Sequence, residues 1–526
     1  MTGPTSASTS TSRSATPPDG GGAPDRAGAI AKAGVRQWAA LVVLMLPVLL
    51  VSIDNTVLSF ALPAISTSLE PSGTGLLWII DAYPLVLAGL LVSMGSLGDR
   101  IGRRRLLLIG SIGFALVSAG AAFAPTTGWL IASRAALGFF GAMLMPSTLS
   151  LLRSVFVDRD QRRMAIAIWA SGFAAGAALG PIVGGVLLEH FWWGSVFLLA
   201  VPVLIPLVVL TPLLIPESRD PNPGPVDVLS ILLSLATMAP VVYGIKTLAS
   251  EGFSIIGVVA IVVGLVAGIL FVRRQLARPI PMLDMRLFRN RAFSGAVIIN
   301  LLSVVALVGF LFFVSQHLQL VLGLNPINAS LVLLPGLAAM IASGLVVVPI
   351  ARRVRPGILV PIGLLISGAG YGVVALLGGA APASTLLIAF VALGAGIGAA
   401  ETVSNELIIA SAPADKAGAA SAVSETAYEL GAVLGTATLG TILTASYRSA
   451  VVLPDGLSAA QRAAAGETIG GATTVSQGLP SALAEQLLAS ARHAFDSGVA
   501  LTAGIGVLLM VVAAVVAFVA LRRVRS

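Results

Sequence analysis

The chain has 526 residues, of which 57% are hydrophobic and only 10% charged, with a mean hydropathy of +0.98. Soluble proteins carry about 25% charged residues, so composition excludes a soluble enzyme or binding module and points to an all-α, polytopic integral membrane protein. The net charge of +8 comes from basic residues in short loops between apolar runs, where they report orientation and argue against a nucleic-acid partner; with no cysteines, disulfides, zinc-thiolate sites and thiol catalysis are excluded too.

Residues 1–37 are rich in Ser, Thr, Pro, Gly and Ala and lack an apolar core, which predicts a disordered cytoplasmic tail rather than a cleaved signal peptide. From Trp38 onward, apolar runs of spanning length occur at about 38–63, 76–97, 106–124, 128–150, 164–188, 195–215, 226–247, 254–272, 293–322, 327–350, 357–379, 384–410, 417–446 and 498–521, fourteen in all. The longest polar interruption is an outer loop, 447–497. Pro480 is placed to open a short helix there, with Leu483, Leu487, Leu488 and Ala491 on one apolar face; an exit cap, a lipid-surface helix and a mobile linker are the open readings. Residues 522–526 form a basic cytoplasmic tail.

Charge asymmetry supports the count. With both termini inside, Lys246, Arg448, Arg462 and Arg492 fall to the outer side, Arg134 falls within a span, and the remaining basic residues collect on the inner side. Thirteen spans would scatter the clusters at 100–105, 159–163, 273–291 and 352–355 to both faces. A basic loop after the second span and a weaker one after the tenth, Arg352-Arg353-Val354-Arg355-Pro356-Gly357, suggest two six-helix bundles, 38–215 and 293–521. Residues 226–272 are then an inserted helix pair that joins them.

Six acids fall well inside the apolar runs, away from their ends: Asp54, Asp81, Glu401, Glu406, Glu425 and Glu429. A charge near the bilayer centre costs roughly 3 kcal/mol or more, and such groups usually face a bundle interior and mark a proton or ion pathway. At 1.5 Å per residue, Asp54 lies roughly 20 Å up from the inner edge of the first span, and Asp81 roughly 8 Å below the outer edge of the second, nearer water. Asp54 is therefore the leading proton site, while Asp81 serves proton coupling, an outer gate or a helix end. Glu425 and Glu429, spaced i, i+4, share one helix face and cannot both ionise cheaply, which suits a cation-binding or coupling pair. Glu406 reaches the inner interface in the plainer reading. Arg134 is expected to be the only buried base, satisfied by a carboxylate or by backbone carbonyls. Tyr428, Trp78 and Tyr83 are candidate cation–π partners, and Gln316, Gln319 and Asn405 candidate ligand-orienting groups, with ordinary packing as the alternative.

Four motifs fall in register with one family. Gly95-Ser96-Leu97-Gly98-Asp99-Arg100-Ile101-Gly102-Arg103-Arg104-Arg105 follows the second span, Arg134-Ala135-Ala136-Leu137-Gly138 lies in the fourth, and Gly176-Ala177-Ala178-Leu179-Gly180-Pro181-Ile182-Val183-Gly184-Gly185 lies in the fifth. With Asp54-Asn55-Thr56 and Ala61-Leu62-Pro63 in the first span, they resemble the fourteen-helix drug:proton antiporters of the major facilitator superfamily, which include exporters of quaternary ammonium compounds and dyes. Ser59 stands where that pattern usually has Asn, and the tenth span lacks the acid found in some relatives that favour dications.

The resemblance implies alternating access of two bundles around a midplane cavity, in a bacterial-type inner membrane. It implies proton coupling through Asp54, Asp81, Arg134 and Glu425. Substrate contacts would come from Asp54, Glu401, Glu425, Tyr428, Glu429, Gln316 and Asn405. Gating would fall to Gly95, Asp99, Arg100 and Arg103, as a latch of one bundle against the other, and to Gly180, Pro181 and Gly184, as a seal between bundles. The expected partners are the lipid bilayer, protons and small lipophilic or cationic substrates, and the expected working form is a monomer. No cofactor is expected: Lys32, Lys246 and Lys416 complete no phosphate-binding loop, so the proton gradient is the expected driver. An exporter of one endogenous metabolite, lipid or antibiotic remains the chief alternative, with a channel or receptor behind it. An enzyme is disfavoured, because no metal-ligating cluster or nucleophile pair lies within the spans.

Overall fold

The computed structural model describes residue 3 and residues 33–219, 227–251, 253–279, 281, 283–378, 382–412, 417–522 and 524. Most of the 1–37 tail and Arg523 and Arg525 of the basic tail lie outside the described residues. Eighteen α-helices follow: α1 (Val35–Leu69), α2 (Gly73–Ile101), α3 (Arg103–Ala122), α4 (Thr127–Val155), α5 (Arg159–His190), α6 (Ser195–Leu198), α7 (Ala200–Leu214), α8 (Val228–Glu251), α9 (Ile255–Ala277), α10 (Arg291–Gln316), α11 (Pro326–Ala351), α12 (Pro356–Leu377), α13 (Ala383–Ala410), α14 (Ala417–Gly435), α15 (Thr441–Ala450), α16 (Ala459–Glu467), α17 (Ile469–Ser476) and α18 (Ser481–Leu521). No strand occurs among the described residues. In lipid each backbone group needs a partner within its own segment, which leaves helices as the available solution for these runs. Ser72, Thr126, Asp158 and Asn325 each accept a hydrogen bond from the first turn of the helix they open, so the starts are written in polar residues between apolar runs.

Among the described residues, thirteen helical segments are long and apolar enough to cross a membrane, with α6 and α7 acting as one, and α5, at 32 residues, is a further helix of that length. Two stretches differ from the sequence expectation. Residues 447–497 are not mainly loop: α16 and α17 occupy much of the stretch, and the helix expected after Pro480 runs straight on into the last span as the 41-residue α18, because no breaker separates them. The thirteenth span is divided, α14 passing through a π-helical turn at Thr436–Gly440 into α15.

Helices α1–α7 pack on one another, and α10–α15 pack with α18. The pair α8–α9 packs mainly on itself, with α8 touching α2, α15 and the 436–440 turn. Helix α9 buries little beyond Gly257, Gly264, Ala267 and Gln275, while Val259, Val262, Val263, Val266, Ile269 and Leu270 are exposed, the pattern of a lipid-facing helix. The two halves meet chiefly at the end that carries α16 and α17. There Phe60 and Leu62 of α1 and Leu76 and Leu77 of α2 join the same apolar cluster as Phe310, Phe313 and Leu318, and Ser66 Oγ lies 3.4 Å from Thr468 Oγ1. This capped end is closed.

The basic end is organised within the first half. Asp99 accepts from Arg103 Nε at 2.8 Å, and Glu217 accepts from the backbone N–H of Arg104 at 3.0 Å, capping α3. Gly102, at φ +113°, turns the chain between α2 and α3, and a Cβ there would fall 2.7 Å from the Glu217 carboxyl carbon. In this form the expected latch from Asp99, Arg100 and Arg103 to the other bundle is not engaged among the described residues: Asp99 and Arg103 pair with each other, Arg103 and Arg104 engage the 215–218 segment, and Arg100 is exposed.

The glycine stripe of α5 is corrected as well. Gly176, Gly180 and Gly184 lie against Ser52, Thr56 and Val57 of α1, inside the first half, because small residues at four-residue spacing admit whichever helix is adjacent. Gly185 instead faces Pro326, Ile327 and Ser330 of α11, so this one glycine of the motif lies against the other half. Pro181 is buried within α5 and Gly95 packs near Pro146 of α4.

Candidate functional site

At mid-helix in α1, Asp54 accepts a hydrogen bond from Arg134 Nη1 of α4 at 2.6 Å. Arg134 is 1% exposed and has two further anchors on α2: its Nε donates to Ile79 O at 3.2 Å, and its guanidinium carbon lies 4.6 Å from the Tyr83 ring centroid. A buried guanidinium needs this degree of satisfaction, and a carboxylate, a carbonyl and an aromatic face supply it. The Tyr83 hydroxyl is buried and has no hydrogen-bond partner.

The second half presents its acids to the same place. Glu429 of α14 has Asn55 beside it and lies within electrostatic reach of Arg134, Asp54 and Glu425. Its Oε2 is buried without a hydrogen-bond partner. Glu425, one turn earlier, lies within electrostatic reach of Tyr83, and Glu401 of α13 lies within electrostatic reach of Tyr428, as do Glu425 and Glu429. Glu401 Oε1 is another unpartnered buried atom. Asp54, Arg134, Glu401, Glu425, Tyr428 and Glu429 therefore converge where the two halves face each other, and the i, i+4 spacing puts both α14 acids on that face.

Other candidates lie elsewhere. Gln316 Nε2 donates to Phe312 O, and its side chain lines a small cavity with Leu76, Tyr447 and Glu467 at the capped end. Gln319 donates to Phe60 O in the same region. Asn405 accepts from Asn300 and Ser424 and is exposed towards the basic end, as is Glu406.

Asp81 is not near water. It is fully buried and pairs with Lys246 Nζ of α8 at 2.6 Å, while Thr436 Oγ1 donates to its other oxygen. Lys246, expected on the outer side, is 1% exposed within α8, so Arg134 is not the only buried base. The hydropathy pattern ended its span one residue later, and the helix runs on to Glu251. The signal available in the sequence was a lysine on one of the inserted helices and an acid without a partner.

A family model described as the Major Facilitator Superfamily matches residues 44–436. The chain belongs to the Major Facilitator Superfamily. It is a multi-pass membrane transporter of small molecules, not an enzyme. It is 59% identical to the multidrug efflux pump LfrA of Mycolicibacterium smegmatis over 93% of this chain and 97% of that protein. It is 38% identical to the methyl viologen resistance protein SmvA of Salmonella typhimurium, over 90% and 97%, and 32% identical to a tetracenomycin C resistance and export protein of Streptomyces glaucescens, over 80% and 78%. In fold it is similar to a bacterial homologue of the human lysosomal transporter Spinster (TM-score 0.63, 17% identity, 93% of this chain and 98% of that one).

Proposed function

We propose that this superfamily member exports lipophilic cations, drugs among them, in exchange for protons, as a fourteen-helix drug:proton antiporter. The observation that carries the reading is the placement of Asp54 and Arg134 of one half opposite Glu425 and Glu429 of the other, all within spanning helices, with Asp54, Arg134 and Glu429 buried and Glu425 half-buried. The naming of relatives for multidrug efflux, methyl viologen resistance and tetracenomycin C export supports a substrate range of this kind.

The basic end faces the cytoplasm, with both termini there, and the capped end faces outward across a bacterial inner membrane. The present form, closed at the capped end, takes substrate from the inside. A positive charge arriving beside Glu425 and Glu429 displaces a proton to the cytoplasm, and a proton arriving from outside later displaces the cation outward, since both stabilise the same carboxylates. Asp54 exchanges Arg134 for a proton in the same cycle, which frees the guanidinium to neutralise Glu429. Tyr428 and Tyr83 offer aromatic faces to the cation. The energy comes from the proton gradient, with no cofactor, and a monomer contains every group named.

The test is ethidium accumulation in inside-out vesicles under an imposed pH gradient. Parent protein should accumulate dye only while the gradient lasts and release protons when dye is added. Glu425→Gln should lose most of this. Accumulation indifferent to the gradient overturns proton coupling, and parent-like accumulation by Glu425→Gln removes that acid from it.

A further inference from the structure

The inserted pair α8–α9 separates the two halves in sequence, and a plain connector requires nothing polar at depth. Helix α8 nevertheless carries a lysine at 1% exposure, and that lysine is paired with a carboxylate. Lys246 Nζ sits 2.6 Å from Asp81 Oδ2 and 4.2 Å from the centroid of the Trp78 ring, both on α2. Asp81 in turn accepts from Thr436, the first residue of the π-helical turn in the second half. Around these groups Leu85 of α2, Val242 of α8, and Val433 and Ala437 of the second half form one apolar cluster. First half, inserted pair and second half thus meet at a single charged point, towards the capped end.

The strengths of the contacts are unequal. Helix α8 is tied to α2 twice, by Lys246 on Asp81 and by Ser234 Oγ donating to Gly89 O at 3.0 Å, with Leu235 filling the space over Gly89. Against the second half the polar connection at this point is the hydrogen bond from Thr436 to Asp81. If the capped end parts, that bond breaks, while Lys246 can stay on Asp81 and keep its charge covered.

We propose that Lys246 is a gating residue: a tethered counter-charge that holds Asp81 in place for Thr436, so that the outer side closes only with the inserted helix pair as its third component. The proposal rests on the alternating-access reading above and assigns to α8 a part that a linker would not have. Without the ammonium, Asp81 is a buried anion with one hydroxyl partner, and the closed form loses its advantage over the form in which water reaches the carboxylate. Without both charges, the closed form regains it.

A chain lacking native cysteine allows a direct measurement. Ser66→Cys with Thr468→Cys replaces two side chains whose oxygens lie 3.4 Å apart across the capped end, and disulfide formation is followed in membranes without substrate or gradient. In this background Lys246→Met should slow crosslinking at least about threefold at equal protein amount. Lys246→Arg and the neutral Asp81→Asn/Lys246→Met combination should crosslink at close to the parent rate. Thr436→Val, which leaves the ion pair and changes little volume, should slow it comparably and reads the gate even if Lys246→Met fails to insert. A parent rate in Lys246→Met or in Thr436→Val overturns the proposal, as does a neutral combination as slow as the single variant. Because no gradient is applied, parent dye transport that ignores pH would remove proton coupling and leave the gate, whereas unchanged crosslinking would remove the gate and leave coupling.

Discussion

Neutralising Asp54 and Arg134 singly and together separates what the pair does for stability from what it does for transport. In Asp54→Asn the guanidinium keeps Ile79 O and the Tyr83 ring but loses its 2.6 Å charge-assisted bond. Breaking a buried ion pair by removing one partner typically costs about 3–5 kcal/mol. Glu429, a second carboxylate within electrostatic reach, offsets part of that, so a loss of about 2–4 kcal/mol is expected for Asp54→Asn. Arg134→Gln fares worse, at about 3–5 kcal/mol, because Asp54 and Glu429 then face each other with no cation between them. In Asp54→Asn/Arg134→Gln two amides of suitable length face each other, and the loss should fall to about 2 kcal/mol or less, well short of the sum. Thermal unfolding of the purified protein in detergent gives the ranking, and dye accumulation in inside-out vesicles under an imposed pH gradient gives the function. Stability should recover in the double variant and gradient-driven accumulation should not. Losses that add, or accumulation that survives in the double variant, would refute the assignment of this pair to proton coupling.

Three further outcomes follow from geometry elsewhere. A Cβ at Gly184 would already fall 2.6 Å from Val57 Cγ2, so Gly184→Leu must push α5 off α1; a loss of about 1–3 kcal/mol is expected in detergent melts, and an unchanged melting temperature would contradict the packing. Asp99→Asn removes a partly exposed pair with Arg103, worth about 0–1 kcal/mol, so stability should hardly change; a fall in transport without a fall in stability would show that Asp99 works in a conformation other than this one, and a large loss of stability would contradict the present geometry. At the basic end, hydrogen bonds from Arg274, with help from Ser230, hold the Asp227 carboxyl below the usual carboxylate range, and Arg278 lies 3.2 Å away. A carboxyl depressed in the folded state adds stability that is complete above its unfolded pKa of about 3.9 and fades as pH falls through the folded value. Asp227→Asn should therefore melt lower at neutral pH and show a flatter acid limb than the parent; parallel acid limbs would rule this out.

Which parts of this were legible in the sequence depends on whether one segment suffices to specify them. Length and apolarity define a spanning helix locally, so α2, α4, α10 and α13 stand where the runs at 76–97, 128–150, 293–322 and 384–410 indicate, give or take two turns. The acids were also legible, since each is costly wherever it points, and the i, i+4 spacing of Glu425 and Glu429 fixes a common face without reference to other helices. Partners are another matter. Nothing in Gly176, Gly180 and Gly184 says whether the helix admitted is α1 of the same half or α11 of the other, because a small-residue stripe specifies closeness and not identity. Glu217 caps α3 from 113 residues away, a relation no local pattern contains. Lys246 looked like a residue at a span's edge because a hydropathy window averages over the last turn of α8, and its burial is decided by Asp81 on another helix.

The charge balance of the interior distinguishes the acids more sharply than their depth does. Asp81 has an ammonium of its own, an aromatic face and a hydroxyl, so its negative charge is already matched. Among the described residues around the central site, Arg134 is the base, and Asp54 holds it directly, while Glu401, Glu425 and Glu429 have no cation of their own within hydrogen-bonding distance. In the antiport proposed above, carboxyls placed in that way take their positive charge from outside the protein, and a proton and an organic cation are the two sources open to them. A site that must be filled by one or the other exchanges them, whereas a site filled by a lysine on a neighbouring helix holds the structure together. On the proposals made above, the same residue type serves transport on α13 and α14 and closure on α2, and what separates the two uses is whether the chain supplies the counter-charge itself.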